Sequence, residues 1–238
     1  MAAVVDLEGR VRRSALAAAR APRFAALPLL LALVFSTLSV RAWDPGRLRL
    51  AAERRGPEAV AAAAALEEAM HAVEDAGEPE RLRAVNDFFN TRLAYREDID
   101  NWGQVDYWAS PLESLAKGAG DCEDYAIAKY FTLAALGIPQ ARLRMVYVRA
   151  NIAGAPNGAT PHMVLAYYAR PDAEPLVLDN LDPAIRAAGA RTDLTPVFSF
   201  NAEGLWQGIG SIRAQGDPLV RLTRWREVLE RAREDGFE

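Results

Sequence analysis

The sequence predicts an α+β domain in which helices come first and an antiparallel sheet follows. Apolar residues recur at helical spacing in the segments 57–75, 79–94 and 122–136. Segments rich in β-forming residues then follow one another between residues 143 and 200, with Gly- and Pro-containing loops between them. Because helices and strands do not alternate, this order favours an α+β domain over a parallel α/β sheet.

Residues 1–42 have the pattern of an export signal. An arginine-rich leader precedes an apolar stretch, and small residues suit signal-peptidase cleavage after Ala42. An uncleaved N-terminal anchor is the alternative, since the apolar stretch is just short of the ~20 residues that span a bilayer. In both cases we expect residues 43–238 to form one domain that faces an oxidising compartment and is long enough to bury a core without disulfides.

The chain is acidic, with 28 Lys and Arg residues against 32 Asp and Glu residues and a formal net charge of −4. The leader holds several of the arginines, so the domain itself is more acidic than the whole chain. No basic face is indicated, and nucleic acid is therefore not an expected partner.

The helices are predicted from stripes of apolar residues and from their end signals. In the second helix the stripe is formed by Leu82, Val85, Phe89 and Leu93. The helix 122–136 is followed by Gly137 and Pro139, which end it. The segment 95–117 has little periodicity and is predicted to be a long ordered loop. Its aromatic side chains could line a cleft or fill the core.

The second half of the domain is predicted to hold four strands and a closing helix. The predicted strands are 143–148, 162–168, 176–178 and 195–200. The segment 217–233 is predicted to be one amphipathic helix, with an apolar face of Leu219, Leu222, Trp225 and Leu229.

The single cysteine, Cys122, is the first candidate for chemistry. Gly118 and Gly120 allow a sharp turn, and Asp121 suits the N-cap of the helix that Cys122 begins. Unpaired backbone N–H groups and the helix dipole at this position favour a thiolate. A buried structural cysteine is the alternative, but a lone free thiol is unusual in an exported chain.

The partners that a catalytic thiol needs lie in the strand region. His162 begins a strand after a flexible loop, and Asp179 ends a short apolar strand, with Asn180 and Asp182 as alternatives in its role. The other histidine, His71, lies on the Ala-rich helix and is predicted to be a surface residue.

The register of the hairpin that joins these two strands is open. A tight turn at residues 170–171 would place His162 opposite Asp179, whereas a five-residue loop would place Leu165 there. Both arrangements leave His162 and Asp179 at the same end of the hairpin.

If these residues meet, Cys122 would attack a carbonyl, His162 would move the proton and Asp179 would orient the imidazole. Backbone N–H groups near Cys122 would hold the oxyanion, with Asn101 and Trp102 as candidates for a further donor.

Three sequence blocks, residues 120–130, 161–168 and 175–181, resemble the bacterial transglutaminase-like cysteine peptidases, the LapG-type periplasmic proteases. The similarity extends from about Trp43 to Trp206. It implies a papain-like, transglutaminase-type fold in which Cys122, His162 and Asp179 form the triad.

The resemblance also implies calcium dependence, with Asp121 and Glu123 as calcium ligands and Asp124 as a further candidate. The carboxylate oxygens of these residues are ligands that calcium prefers. From the residues alone, these acids could only be interpreted as helix caps.

The biological role is likewise an implication of the resemblance. Family members cleave a large surface adhesin near its N-terminus at an Ala-Ala site and so release cells from biofilms. An inner-membrane receptor that senses cyclic-di-GMP sequesters the protease. The expected oligomeric state is a monomer or weak dimer. A transglutaminase that transfers the acyl group to an amine and a non-catalytic peptide-binding module are the alternatives.

Overall fold

Helices make up most of the first half of the domain in this computed structural model, which describes residues 43–152, 158–214 and 218–238. The α-helices within those residues are α1 Pro45–Arg55, α2 Pro57–His71, α3 Glu78–Arg92, α4 Asp98–Trp102, α5 Pro111–Lys117, α6 Cys122–Ala135, α7 Pro218–Arg221 and α8 Thr223–Glu234. The predicted helices 57–75, 79–94 and 122–136 are confirmed, with ends that differ by a few residues. The predicted signal peptide or anchor, residues 1–42, lies outside the described residues.

The second half of the domain is an antiparallel sheet, as predicted. The strands are β1 Ala94–Tyr95, β2 Ala119–Gly120, β3 Leu143–Ala150, β4 Thr160–Tyr167, β5 Leu176–Leu178, β6 Arg186–Ala187, β7 Leu194–Phe200 and β8 Leu205–Gln207. Six of them form one sheet in the order β6-β5-β4-β3-β7-β8, and every pairing in it is antiparallel. The short strands β1 and β2 pair in parallel outside this sheet.

Helix α6 is the central element of the domain. Every residue from Asp124 to Ala134 is buried, as expected of a helix that is apolar on most of its surface. It packs against β3 and β4 of the sheet and against α3 and α5 on the helical side. The beginning of α6 is thereby held beside β4.

The segment 95–117 is more regular than predicted. It contains α4 and α5, and α5 begins with a capping box in which Ser110 and Glu113 bond reciprocally to each other's backbone N–H. The prediction of a loop was wrong here because both helices are too short to show helical periodicity.

The C-terminal segment also differs from the prediction of one helix over 217–233. Two helices are present, α7 and α8, and the chain between them turns at Leu222, which has an extended-type φ of −113°. The side chain of Trp225 is fully buried against the rings of Tyr130, Phe131 and Phe200. Helix α8 is therefore part of the core.

Both predicted registers of the β4–β5 hairpin were wrong. Leu165 pairs with Leu178 and Tyr167 pairs with Leu176, so neither His162 nor Leu165 lies opposite Asp179. The connection from residue 168 to residue 175 is longer than either predicted turn, and β5 ends before Asp179. The expectation that both residues lie at one end of the hairpin is nevertheless confirmed by a direct side-chain contact.

The two ends of the described domain lie together. Trp43 forms a β-bridge with Phe237, and the N–H of Asp44 donates to the carbonyl of Gly236 at 2.7 Å. Asp44 also caps α1 by accepting from the backbone N–H of Gly46 and Arg47. Within the described residues, every helix is too short or too polar to span a bilayer.

Candidate active site

Cys122 is the first residue of α6, as predicted. Gly118 has a left-handed φ of +64° that ends α5, and the chain then pairs β2 with β1 before it enters α6. The first hydrogen bond of α6 runs from the N–H of Tyr125 to the carbonyl of Asp121. The N–H groups of residues 122–124 therefore lack partners within the helix and are directed toward its N-terminal end.

His162 and Asp179 form a buried hydrogen-bonded pair. Nε2 of His162 lies 2.8 Å from Oδ1 of Asp179, and both side chains are almost fully buried. The second carboxylate oxygen of Asp179 accepts from Nη2 of Arg191 at 2.7 Å. The backbone N–H of Leu181 donates to Oδ1 at 3.1 Å.

The environment of Asp179 keeps this carboxylate charged. Burial alone would raise its pKa, but the hydrogen bonds and charge of His162, the N–H of Leu181 and the guanidinium of Arg191 outweigh burial and lower the pKa to about 2. Asp179 is thus an acceptor for the imidazole at neutral pH. Of the three alternatives, Asp179 holds His162, whereas Asp182 pairs with Arg186.

Cys122 and His162 line the same cleft. The cleft is an open cavity of about 770 Å³ between α6, the segment 95–108 and the face of β3, β4 and β7. The backbone N–H of Met163, the residue after His162, is close enough to the sulfur of Cys122 to act on the pKa of the thiol and lower it. Since Nε2 of His162 faces Asp179, Nδ1 is the ring nitrogen available to the thiol.

In this structure the thiol of Cys122 lies against a carboxylate. Its sulfur is 3.0 Å from Oε2 of Glu123. Burial and the negative charges of Glu123 and Asp121 raise the pKa of the thiol, while the N–H of Met163 acts in the opposite direction. The protonated thiol is therefore the favoured form with these carboxylates unneutralised.

A cluster of buried carboxylates lies directly beside Cys122. Oxygens of Asp98, Asp121 and Asp124 all lie within 4.8 Å of one another. One oxygen of each residue is buried without a hydrogen-bond partner among residues 43–152, 158–214 and 218–238, and the side chain of Asp121 does not cap α6. Carboxylate oxygens from three residues at this spacing, in a cluster with unsatisfied acceptors, fit a hard divalent cation such as calcium.

The charge state of the cluster supports the same interpretation. Burial raises the pKa of Asp98 to about 6, and burial with the charges of Glu123 and Asp124 raises the pKa of Asp121 to about 10. Burial also raises the pKa of Asp124 well above its usual range. Without a cation, these side chains retain protons because several buried negative charges repel one another.

The structure brings Cys122 and His162 to one cleft, joins Asp179 to His162 by a buried hydrogen bond, and adds two residues that sequence reasoning missed. Arg191 reaches Asp179 from the segment between β6 and β7, and Asp98 joins the predicted ligand Asp121 from α4. The acid-rich run at residues 97–100 was the available signal for Asp98. Glu123 lies outside the cluster of three and remains a predicted ligand.

The minor predictions have mixed outcomes. The side chain of His71 is 80% exposed, which confirms a surface residue. The amide of Asn101 donates to the carbonyl of Ala119, and neither Asn101 nor Trp102 lines the cleft. The ring of Trp108 does line the cleft and also stacks on Phe200, so it serves both of the predicted uses of the aromatic residues.

The antiparallel sheet, the buried central helix and a cleft with a thiol at the helix start define a cysteine hydrolase of transglutaminase-like fold. Residues 57–209 match the family described as bacterial transglutaminase-like cysteine proteinase, BTLCP, and the chain belongs to this family. The chain is therefore a cysteine peptidase.

Solved structures agree with this assignment. The chain is similar to LapG of Legionella pneumophila, at 36% identity over 79% of this chain and 97% of that protein, with a TM-score of 0.67. A calcium-bound structure of that LapG matches with a TM-score of 0.66 and 36% identity, and covers 79% of this chain and 98% of its own. An EGTA-treated structure of that LapG matches with a TM-score of 0.68 and 36% identity, and covers 79% of this chain and 97% of its own. Comparison with curated proteins finds no match.

Proposed function

We propose that this chain is a calcium-dependent cysteine endopeptidase in which Cys122 is the nucleophile. The observation that carries the proposal is the buried hydrogen bond of 2.8 Å between Asp179 and His162, a residue that lines the same cleft as Cys122. Asp179 holds Nε2 of His162, and Nδ1 is therefore left to accept a proton from the thiol of Cys122.

The proposed chemistry is acyl transfer through a thioester. His162 takes the proton of Cys122 through Nδ1, and the sulfur attacks the substrate carbonyl. The imidazolium, stabilised by ionised Asp179, then gives the proton to the leaving amine. Water, deprotonated by His162, releases the acyl group. The unpaired N–H groups at the start of α6 are placed to bind the oxyanion.

Calcium would be held by Asp98, Asp121 and Asp124, whose clustered carboxylate oxygens fit it, with Glu123 as a further predicted ligand. Bound calcium supplies positive charge that neutralises the carboxylates around the thiol. The negative charge of Glu123 would then stabilise the protonated thiol of Cys122 less. Transfer of the thiol proton to His162 would therefore become more favourable. The calcium-bound LapG structure supports this proposal by similarity.

The proposed substrate is the N-terminal region of a large surface adhesin, cleaved at an Ala-Ala site to release cells from biofilm. The proposed partner is an inner-membrane cyclic-di-GMP receptor that sequesters the protease in the periplasm. Membership of the family and the similarity to LapG support this role. The export signal expected in residues 1–42 is consistent with it.

Cleavage of an adhesin fragment that contains an Ala-Ala site tests the function. We expect the protein with calcium to cut the fragment once, and both Cys122→Ala and His162→Ala to lose cleavage by at least about 10³-fold. His71→Ala is the matched control, because the other histidine is exposed, and should cleave normally. A chelator should abolish cleavage, and calcium but not magnesium should restore it.

Two outcomes would contradict the proposal. Cleavage by Cys122→Ala would exclude this nucleophile, and equal cleavage in the chelator would exclude the calcium requirement. A glutamine peptide and an amine are added in a parallel reaction. Isopeptide formation without chain cleavage, detected by mass spectrometry, would favour the transglutaminase alternative, and binding without either product would favour a non-catalytic module.

A further inference from the structure

Lys129 is a buried cation for which the proposed chemistry has no use. Only two of the 28 basic residues of the chain are lysines, Lys117 and Lys129. Lys117 is a surface residue over the ring of Trp102. Lys129 is fully buried within α6, and its Nζ has no hydrogen-bond partner among the described residues. Burial of an ammonium group without a hydrogen-bond partner is unfavourable in free energy, and a role in the protein would account for a lysine at this position.

The position of Lys129 places it beneath the candidate active site. It lies seven residues after Cys122, two turns along the same face of α6. The ring of Tyr125, one turn closer to Cys122, is 5.8 Å from Nζ. Asp179 and Asp87 are the two carboxylates whose charges act on the ammonium, and Asp87 itself is exposed on α3.

Two hydrogen bonds join the loop that carries Asp179 to α3. Nδ2 of Asn90 donates to the carbonyl of Asp179 at 2.8 Å, and Nδ2 of Asn86 donates to the carbonyl of Pro183 at 2.8 Å. The Oδ1 atoms of both asparagines are buried and have no hydrogen-bond partner in the part of the chain that the structure describes. An ammonium group has three hydrogen-bond donors and no acceptor, so it can supply the donors that these two amide oxygens lack.

We propose that Lys129 is a positioning residue whose ammonium is linked through an enclosed water to Oδ1 of Asn86 and Asn90, and so fixes the loop 179–183 that presents Asp179 to His162. The proposal rests on the proposed function of Cys122, His162 and Asp179. It assigns a role to three otherwise unsatisfied polar atoms at the interface of α3, α6 and this loop.

The choice of lysine in an arginine-rich chain supports the proposal. A compact ammonium with three rotatable donors can serve two amide oxygens from a narrow buried position, whereas a planar guanidinium cannot. Burial lowers the pKa of Lys129 to about 7, although Asp179 and Asp87 act to raise it. The ammonium is thus held at a cost in stability, as is common for groups kept for positioning.

Lys129→Met tests the role by removing the charge at similar volume. We expect kcat to fall at least tenfold while KM changes less than twofold, and Tm not to fall. The ring-proton signal of His162 in its hydrogen bond to Asp179 should also shift. Thr132→Val is the matched control, since Thr132 is buried on the same helix with an unpartnered hydroxyl, and should leave kcat and the signal unchanged. An unchanged kcat in Lys129→Met would overturn the proposal.

A second measurement uses the wild-type protein with calcium and needs no turnover. With only two lysines, selective ¹³C,¹⁵N-lysine labelling gives two resolvable side-chain signals, and Lys117 is the internal reference. We expect the Lys129 ammonium to exchange slowly and to show cross-peaks to the side-chain amides of Asn86 and Asn90. Exchange as fast as that of Lys117, or no such cross-peaks, would refute this water-mediated link whether or not the protein proves to be a protease.

Discussion

Arg191 binds the oxygen of the Asp179 carboxylate that does not face His162, and with His162 and the N–H of Leu181 it lowers the pKa of Asp179. Its Nη2 lies 2.7 Å from Oδ2 of Asp179 and 2.7 Å from Oδ2 of Asp193. The side chains of Arg191 and Asp179 are almost fully buried, whereas that of Asp193 is 45% exposed. Loss of the guanidinium would remove the hydrogen bond to Oδ2 of Asp179 and leave His162 as the side chain that contacts this carboxylate through Oδ1.

Replacement of Arg191 should therefore affect both stability and catalysis. We expect Arg191→Met to lower the free energy of unfolding by about 3 kcal/mol, because it leaves a buried carboxylate underpaired, and to lower kcat at least tenfold. Arg186→Met, which removes an exposed ion pair with Asp182, should cost less than about 1 kcal/mol. Equal denaturation curves and equal kcat for the two variants would contradict this role.

At the scale of residues, the candidate catalytic residues could be predicted from the sequence, whereas the residues that support them through tertiary contacts could not. Cys122 and His162 lie next to local signals, a glycine-rich helix start and a strand that follows a flexible loop. Arg191 and Asp98 acquire their roles from contacts with residues distant in sequence. No spacing pattern in the sequence records such a contact, so tertiary structure was needed to find them.

At the scale of elements, the entry to α6 depends on a close approach at Gly120. A Cβ atom on Gly120 would lie 2.7 Å from both Cβ and Oδ2 of Asp124. The backbone therefore approaches the acidic cluster at a distance that only glycine allows. Pairing of β2 with β1 fixes this approach from the other side.

Gly120→Ala should displace the side chain of Asp124 and weaken calcium binding. We expect at least a tenfold increase in the calcium Kd, measured by isothermal titration calorimetry, with a loss of Tm. Gly210→Ala provides the control, since nothing lies within 4 Å of its Cβ position, and should bind calcium normally. Calcium binding by Gly120→Ala at the wild-type Kd would show that Asp124 is not a ligand.

The long elements were predictable because burial imposes a period on their sequences. The stripe of Leu82 to Leu93 is buried as expected, and β5 has the predicted bounds. The short helices α4 and α5 and the turn at Leu222 were missed because they span too few residues for a period to develop. The register of β4 with β5 depended on a loop length that composition does not determine.

At the scale of the whole molecule, the last helix stabilises the segment that forms one side of the cleft. Arg231 of α8 donates to the carbonyl of Trp108 and lies 3.3 Å from Glu113. Asp235 accepts from the hydroxyl of Ser110 at 2.5 Å and pairs with Arg55 at 2.6 Å. The C-terminal segment, to which the sequence assigned no role, thus supports the aromatic side of the site.

Calcium should stabilise the whole domain in a pH-dependent way. The raised pKa values of Asp98 and Asp121 mean that the folded metal-free chain retains protons that the unfolded chain releases above about pH 4. Stability without calcium should therefore fall as pH rises from 4 to 7.5, because the folded state binds more protons over this range. Calcium replaces these protons and should restore the lost stability.

The increase in Tm on adding calcium should consequently be larger at pH 7.5 than at pH 5, as measured by differential scanning calorimetry. Asp98→Asn should reduce that increase, whereas Asp100→Asn should not, because Asp100 is exposed on the same short helix. A calcium effect that is equal at both pH values, or that magnesium reproduces, would count against a calcium site in the cluster.

The central claim is that Cys122 is the nucleophile and that His162 activates it. Because the chain has one cysteine, alkylation by iodoacetamide can be followed as a single mass change in the calcium-loaded protein. We predict that activity is lost in proportion to this one adduct and that His162→Gln slows alkylation at pH 7 at least tenfold. A fully alkylated protein that still cleaves its substrate would contradict the claim.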